Sequence, residues 1–320
     1  MKHSVKAYYS AERGVYHERK LPKSTQFVVG AFLVVFGLGG LLINQGEHAN
    51  WGRPVVVKAS LQTRLVAHND TAAKTTLTEA PAATQAVAAA SREADQISAA
   101  VQTVIGKPPA ATWSIAIYDL QAQNWLYRNN SSQKMSSASL YKLYVAYGLS
   151  KKLPFAQWAS TQIAGRDMQT CVDLMIRQSD NTCGTAIGSF VGWKSIDTAI
   201  HAAGYNSTSL NLMTGSVTTA EDTTRFMADL YQGKLFDGPT TEFLKASLKD
   251  QLYRSAIPAG CQGCTTYNKT GNESGVAHDS AVVVSGGRTY AVTIMSEGGN
   301  YAKIATVERA IQSVIATNTP

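Results

Sequence analysis

From Phe27 to Ile43 the chain carries seventeen consecutive residues without a charge or a strongly polar group, FVVGAFLVVFGLGGLLI. A run of that length lies at the short edge of what spans a bilayer as a helix, and it decides the compartment in which the rest of the chain folds. Ahead of it stand Lys2, Lys6, Arg13, Arg19, Lys20 and Lys23 against Glu12 and Glu18. This positive flank predicts a cytoplasmic N-terminus and export of everything after Asn44. A cleaved signal peptide would have a shorter basic region and a small-residue cleavage site, whereas Asn44-Gln45-Gly46-Glu47 follows here. The reading is a single-pass signal anchor over 27–44, with the lipid bilayer as its partner and the bulk of the chain extracytoplasmic.

The net charge of +7 invites a nucleic-acid reading. Many of the basic residues precede residue 26, however, and they are not interleaved with aromatics on one surface, so nucleic acid is not expected as a partner. The four cysteines agree with export. Cys171 and Cys183 stand twelve apart, and Cys261 and Cys264 form a CxxC. Four cysteines allow three pairings and the sequence does not choose among them; the simplest is Cys171–Cys183 with Cys261–Cys264. Only one pair has zinc-like spacing, and no thioredoxin-like context surrounds the CxxC, so neither metal nor cofactor is expected.

Four regions follow: a basic cytoplasmic tail (1–26), the anchor (27–44), a linker rich in Ala, Thr and polar residues (45–88), and a globular domain (89–320). In the last, Ser91–Ile105 has apolar residues at helical spacing, and Trp113–Tyr118 and Trp125–Tyr127 read as paired strands. Ser139–Leu149 reads as a buried helix, and Tyr301–Ile315 as an amphipathic one. Ser280–Val284 and Tyr290–Met295 read as a hairpin through Ser285-Gly286-Gly287-Arg288. Strands at both ends with helices between them imply an α/β (α+β) arrangement, one discontinuous sheet flanked by helices.

Three short motifs appear in order: Ser139-Leu140-Tyr141-Lys142, Ser179-Asp180-Asn181 and Lys269-Thr270-Gly271. Each alone has a structural explanation, as a helix start, a cap or a strand end. Together they make chemical sense. A serine hydroxyl needs a neighbour to take its proton, and at i, i+3 on a helix Lys142 shares the face of Ser139. Burial among Leu140, Leu143 and Val145, with Lys269 as a second cation, would lower the lysine pKa. Ser139 at a helix N-terminus also gains a field and a backbone N–H for a developing oxyanion. The backbone N–H of Asn272 is the expected second donor, and Ser179 the expected proton relay.

This constellation resembles the penicillin-recognising serine hydrolases, the class A β-lactamases and D-Ala-D-Ala peptidases, for which the same three boxes are characteristic. MIRQSDNTCGTAI is similar to the family's helix around SDN, Thr218–Asp222 to the helix start beyond its omega loop, and Asp279–Val283 to the strand after KTG. The resemblance covers roughly residues 89–318. It implies an antiparallel sheet flanked by helices, an all-helical lobe, and an active site between them. It assigns Ser139 as the acylated nucleophile, Lys142 as base, Ser179 and Lys269 as catalytic partners, and Asn181, Thr270, Gly271 and Asn272 to substrate binding. Arg288 is a looser match, as an aid to a substrate carboxylate.

One departure bears on the substrate. Class A β-lactamases carry an omega-loop glutamate in an ExxLN pattern to activate the deacylating water. Here only Leu212 to Val217 remains between the segment ending at Asn211 and Thr218, and no acidic residue lies between Asp197 and Glu221. Glu221 itself sits where a helix cap is expected. The reading is therefore a D,D-peptidase acting on peptidoglycan stem peptides and acylated by β-lactams. Its rivals are a β-lactamase with another deacylation route and a catalytically silent wall-binding module. A Ser-His-Asp triad through His278 and Asp279 is disfavoured, because neighbours on a strand face opposite ways.

Overall fold

The computed structural model describes residues 6–10, 15–19, 82–106, 110–211 and 215–319. In a first unit, residues 1–74, two short strands pair antiparallel: β1 (Lys6–Ser10) and β2 (Val15–Arg19), in register from Lys6↔Arg19 to Ser10↔Val15. The expected anchor at 27–44 lies outside the described residues, as does the linker up to residue 81. Among the described residues no helix is long and apolar enough to cross a membrane.

The second unit, residues 75–320, opens with α1 (Ala82–Ile105), which starts earlier than expected, in the alanine-rich end of the linker. Alanine is the strongest helix former, so the helix continues back through that stretch. Strands β3 (Thr112–Asp119) and β4 (Asn124–Asn129) follow, with the expected turn between them. After the two-residue strands β5 (Met135–Ser136), β6 (Gln162–Ile163), β7 (Arg166–Asp167) and β8 (Val217–Thr218) come β9 (Thr265–Glu273), β10 (Val276–Ser285) and β11 (Arg288–Glu297). The five longer strands of this unit form one antiparallel sheet in the order β4-β3-β11-β10-β9. Ser285 pairs with Arg288 around Gly286 and Gly287, at φ 54° and 85°. Both central residues of a type I′ turn need positive φ, which is why two glycines there specify the hairpin.

Alternation along the strands sorts the core onto two faces. Ile115, Ile117, Ala281, Val283, Val292 and Ile294 pack with Ile97 and Val101 of α1, with Ile257 of the short α8 (Ile257–Gly260), and with Ile304, Val307 and Ile311 of α9 (Tyr301–Thr317). Val282 and Ala291 face the other way, toward Phe226 and Met227. That second side carries the helical lobe: α2 (Tyr141–Lys152), α3 (Met168–Arg177), α4 (Asn181–Val191), α5 (Trp193–Ala202), α6 (Ala220–Tyr231) and α7 (Gly238–Lys249). Side chains cap five of the described helices: Asp167, Asp180, Thr219, Asp237 and Asn300 accept from backbone N–H groups of α3, α4, α6, α7 and α9. The helix α2 is buried without interruption from Lys142 to Leu149, so a lysine stands at the edge of the lobe's core.

Both disulfides form, Cys171–Cys183 and Cys261–Cys264. The first joins α3 to the opening turn of α4; the second closes the loop that leads into β9.

Candidate active site

Ser139 does not begin an ordinary α-helical turn. It sits in a 3₁₀ turn, Ala138–Leu140, that runs into α2. The chain enters that turn through Ala138 at φ 42°, a left-handed conformation that costs a non-glycine residue about a kcal/mol or more. Neighbouring bonds hold it there: Ser137 N–H donates to the Ser216 carbonyl at 2.8 Å and Leu140 N–H to the Ser137 carbonyl at 2.9 Å. Lys142 is the second residue of α2, one turn on from Ser139, and at i, i+3 it shares the serine's face as the expected helical spacing required.

Behind Ser139, β9 comes unusually near. A Cβ on Gly271 would lie 3.2 Å from Leu140 Cγ and from the Ser137 carbonyl oxygen, and 3.3 Å from Ala138 Cβ. Glycine is therefore what lets the strand bearing Lys269 and Thr270 close on the serine. Gly184 does the same from α4, since its Cβ would stand 2.9 Å from Lys142 Cε.

The third element is the turn between α3 and α4. Ser179 is held at φ 60°, and Asp180 accepts from Cys183 N–H at 2.7 Å as the cap of α4. This presents the Ser179 carbonyl and hydroxyl and the Asn181 side chain to Lys142. Its Nζ lies 2.9 Å from Ser139 Oγ, 2.7 Å from the Ser179 carbonyl, 2.7 Å from Asn181 Oδ1 and 3.3 Å from Ser179 Oγ. Lys269 Nζ donates to Ser179 Oγ at 2.8 Å and to the Thr270 carbonyl at 2.9 Å.

Lys142 and Lys269 are both fully buried. Burial lowers the Lys142 pKa to about 8, against the opposing pull of Asp180. Burial also drives Lys269 well below its usual value, helped by repulsion from Lys142 and resisted by Asp279. Two ammoniums sharing one serine hydroxyl in a dry site cannot both keep their charge cheaply. Nζ of Lys142 donates to its four oxygen neighbours while the residue is an ammonium. In its free-base form the two carbonyl-type oxygens at 2.7 Å can take its two N–H protons, which leaves the lone pair for the Ser139 hydroxyl. The arrangement can take a proton from Ser139 and pass one through Ser179.

Ser139, Ser179, Asn181, Thr270 and Asn272 line a cleft of about 220 Å³, together with Gln178, Tyr253 and Tyr301. The last three carried no sequence signal for this site. Among the described residues that line it there is no carboxylate. Glu221 is a structural residue: it accepts from Ser131 Oγ at 3.0 Å and pairs with Arg128 in the first turn of α6. His278 and Asp279 are also engaged away from the serine. His278 bridges Ser136 and Ser296, and Asp279 accepts from Ile257 N–H and Asn268.

Arg288 departs from expectation. It bonds Asp119 and Glu93 at the hairpin end of β11, whereas Lys269 stands at the level of Ser280 and Thr293. The register puts Arg288 five residues along the ladder from the level of Lys269 and farther from Thr270 and Asn272 of the cleft, where it cannot aid a substrate.

A model of the Beta-lactamase enzyme family matches residues 157–317. No curated protein matches. Among solved structures, a class A beta-lactamase from Bacteroides cellulosilyticus DSM 14838 superposes with a TM-score of 0.62 at 14% identity, covering 70% of this chain and 99% of that one. A beta-lactamase from Sphaerobacter thermophilus DSM 20745 gives 0.61 at 17%, over 69% and 95%. PBP-A gives 0.60 at 19%, over 71% and 96%; a mutant of it is known as an acyl-enzyme complex with penicillin-G.

Proposed function

The chain belongs to the beta-lactamase enzyme family, and from that premise we propose that it is a membrane-anchored, extracytoplasmic D,D-peptidase that forms an acyl-enzyme at Ser139. The observation that carries this reading is the hydrogen-bonded series Ser139–Lys142–Ser179–Lys269, whose two serines line one cleft with the buried lysines behind them.

In this account neutral Lys142 takes the Ser139 proton as Oγ attacks the carbonyl of the scissile bond. The oxyanion is received by the backbone N–H groups of Ser139 and Asn272. The Thr270 carbonyl accepts from a side chain, Lys269. Alternate residues of an antiparallel strand turn their backbone groups to the same side, so Asn272 N–H faces that side too. Ser179, between the two lysines, hands a proton to the leaving group, and Asn181 and Thr270 hold the substrate on either side. An acyl-Ser139 ester results. Among the described residues no carboxylate lines the cleft to activate water, so this ester drains slowly. That behaviour fits a peptidase acting on peptidoglycan stem peptides, with β-lactams as acylating mimics, as penicillin-G is of the PBP-A mutant. The apolar run at 27–44 and the two disulfides support an anchored domain outside the cytoplasm.

The likeness to beta-lactamases favours one second reading, lactam hydrolysis by a deacylation route without the glutamate. The test is release of D-alanine from an N-acylated tripeptide ending in D-Ala-D-Ala, by wild type and Ser139→Ala. Serine-dependent release supports the peptidase. Rapid penicillin turnover without D-alanine release supports the lactamase, and neither activity leaves a silent wall-binding module.

A further inference from the structure

Two of the cleft's lining residues, Tyr253 and Tyr301, have no part in the acyl-transfer steps. They come from separate places, the segment after α7 and the first residue of α9. Tyr301 Oη donates to the Gly271 carbonyl at 3.2 Å, which fixes its ring beside the Lys269-Thr270-Gly271 strand. Its hydroxyl also lies close enough to Thr270 and to Tyr253 to interact with both.

Tyr253 is 49% exposed, and its neighbour Leu252 58%. An exposed aromatic ring is common on a mobile loop, but this backbone is held on both sides. Tyr253 N–H donates to Gln251 Oε1 at 2.8 Å, and its carbonyl accepts from Asn268 Nδ2 at 3.2 Å. Both of those partners are buried. A rigidly presented apolar face at a cleft mouth loses little entropy on binding, and exposed apolar surface beside a binding cleft marks a contact.

The side of the cleft matters. Ser179 passes its proton to the leaving group, and Thr270 is next to the lysine that contacts Ser179. The tyrosines flank Thr270, so they face the departing half of the substrate. That half meets no free arginine from β11, because Arg288 is committed to Asp119 and Glu93.

We infer that Tyr253 and Tyr301 form an aromatic clamp on the apolar side chain that the leaving group carries beside its carboxylate, a methyl in a terminal D-alanine and held more strongly when it is a flat ring. The inference rests on the acyl-enzyme reading above and adds the class of leaving group. In the step concerned, the Ser139 Oγ–acyl bond forms as the bond to the leaving atom breaks. The serine's proton is taken up by Lys142, and the leaving atom receives one through Ser179.

The test uses two ester depsipeptides with one N-acyl-D-alanyl part and either D-lactate or D-phenyllactate as leaving group, and compares kcat/KM. The wild type favours phenyllactate. In Tyr253→Ala that preference falls about five- to tenfold, the size of an aromatic contact, while Tyr253→Phe keeps it. An equal preference in wild type and Tyr253→Ala, with Ser139 still acylated, overturns the clamp alone. No Ser139-dependent acylation by either ester in the wild type overturns the underlying reading and the clamp with it.

Discussion

Lys142 gathers the chemistry because it is a buried amine whose two closest neighbours can only accept hydrogen bonds. In the proposed mechanism the free base is the active form, and burial lowers its pKa to about 8. Below that pH the amine is protonated and cannot take the Ser139 proton, so kcat/KM for acylation is expected to rise with pH and level off above roughly 8. A stopped-flow profile with a chromogenic β-lactam checks this; a flat profile from pH 6 to 9 speaks against Lys142 as base. Lys142→Met, similar in bulk and without a proton acceptor, is expected to slow acylation about 10²- to 10⁴-fold, the usual worth of a general base. These two residues were legible from an i, i+3 spacing and a family resemblance. Tyr253 and Tyr301 were not, since each sits in an unremarkable local sequence and reaches the cleft only through tertiary packing.

At the scale of elements, the site is where three segments are forced close together. Gly271→Ala puts a methyl group against Leu140, Ser137 and Ala138 at 3.2–3.3 Å. The neighbours there include backbone, which yields poorly, so β9 must shift away from the serine. Acylation is expected to drop at least tenfold, with a loss of only about 1–3 kcal/mol in stability, read by thermal melting alongside labelling. The Cys171–Cys183 disulfide clasps the turn that holds Ser179 in its left-handed conformation. Replacing both cysteines with alanine removes a constraint on the unfolded chain of about 3 kcal/mol, measured by urea denaturation. The Ser285–Arg288 hairpin was readable because two adjacent glycines admit few other turns. The role of Arg288 was misread for the opposite reason. A strand's residues can be recognised without knowing how far along the ladder each one lies, and register is set by the whole sheet.

For the molecule as a whole, the separation into a sheet layer and a helical lobe follows from where apolar periodicity changes, and that much was visible in the sequence. The polar content of the interior was not. Glu308 is fully buried on α9, accepts from Tyr290 at 2.8 Å, and has its carboxyl pushed up to about 8 by burial, with Asp279 adding to the rise. The folded protein keeps this proton where the unfolded chain, near pH 4–5, has already lost it. The unfolded state thus binds fewer protons, and stability falls as pH rises from about 5 to 8. Glu308→Gln is expected to flatten that slope in melting experiments; an unchanged slope would remove Glu308 as its source.

The cleft, finally, couples the acylating series proposed above to a lining in which the described residues include no carboxylate. The most direct measurement is the lifetime of the adduct formed with penicillin-G, followed by intact-protein mass spectrometry on the wild type and Ser139→Ala. The account expects one penicilloyl group on the wild type that persists well beyond the time needed to form it, and none on the variant. An adduct on Ser139→Ala, or none on the wild type at any time without penicillin being consumed, would contradict acylation at Ser139; rapid turnover would contradict its slow release.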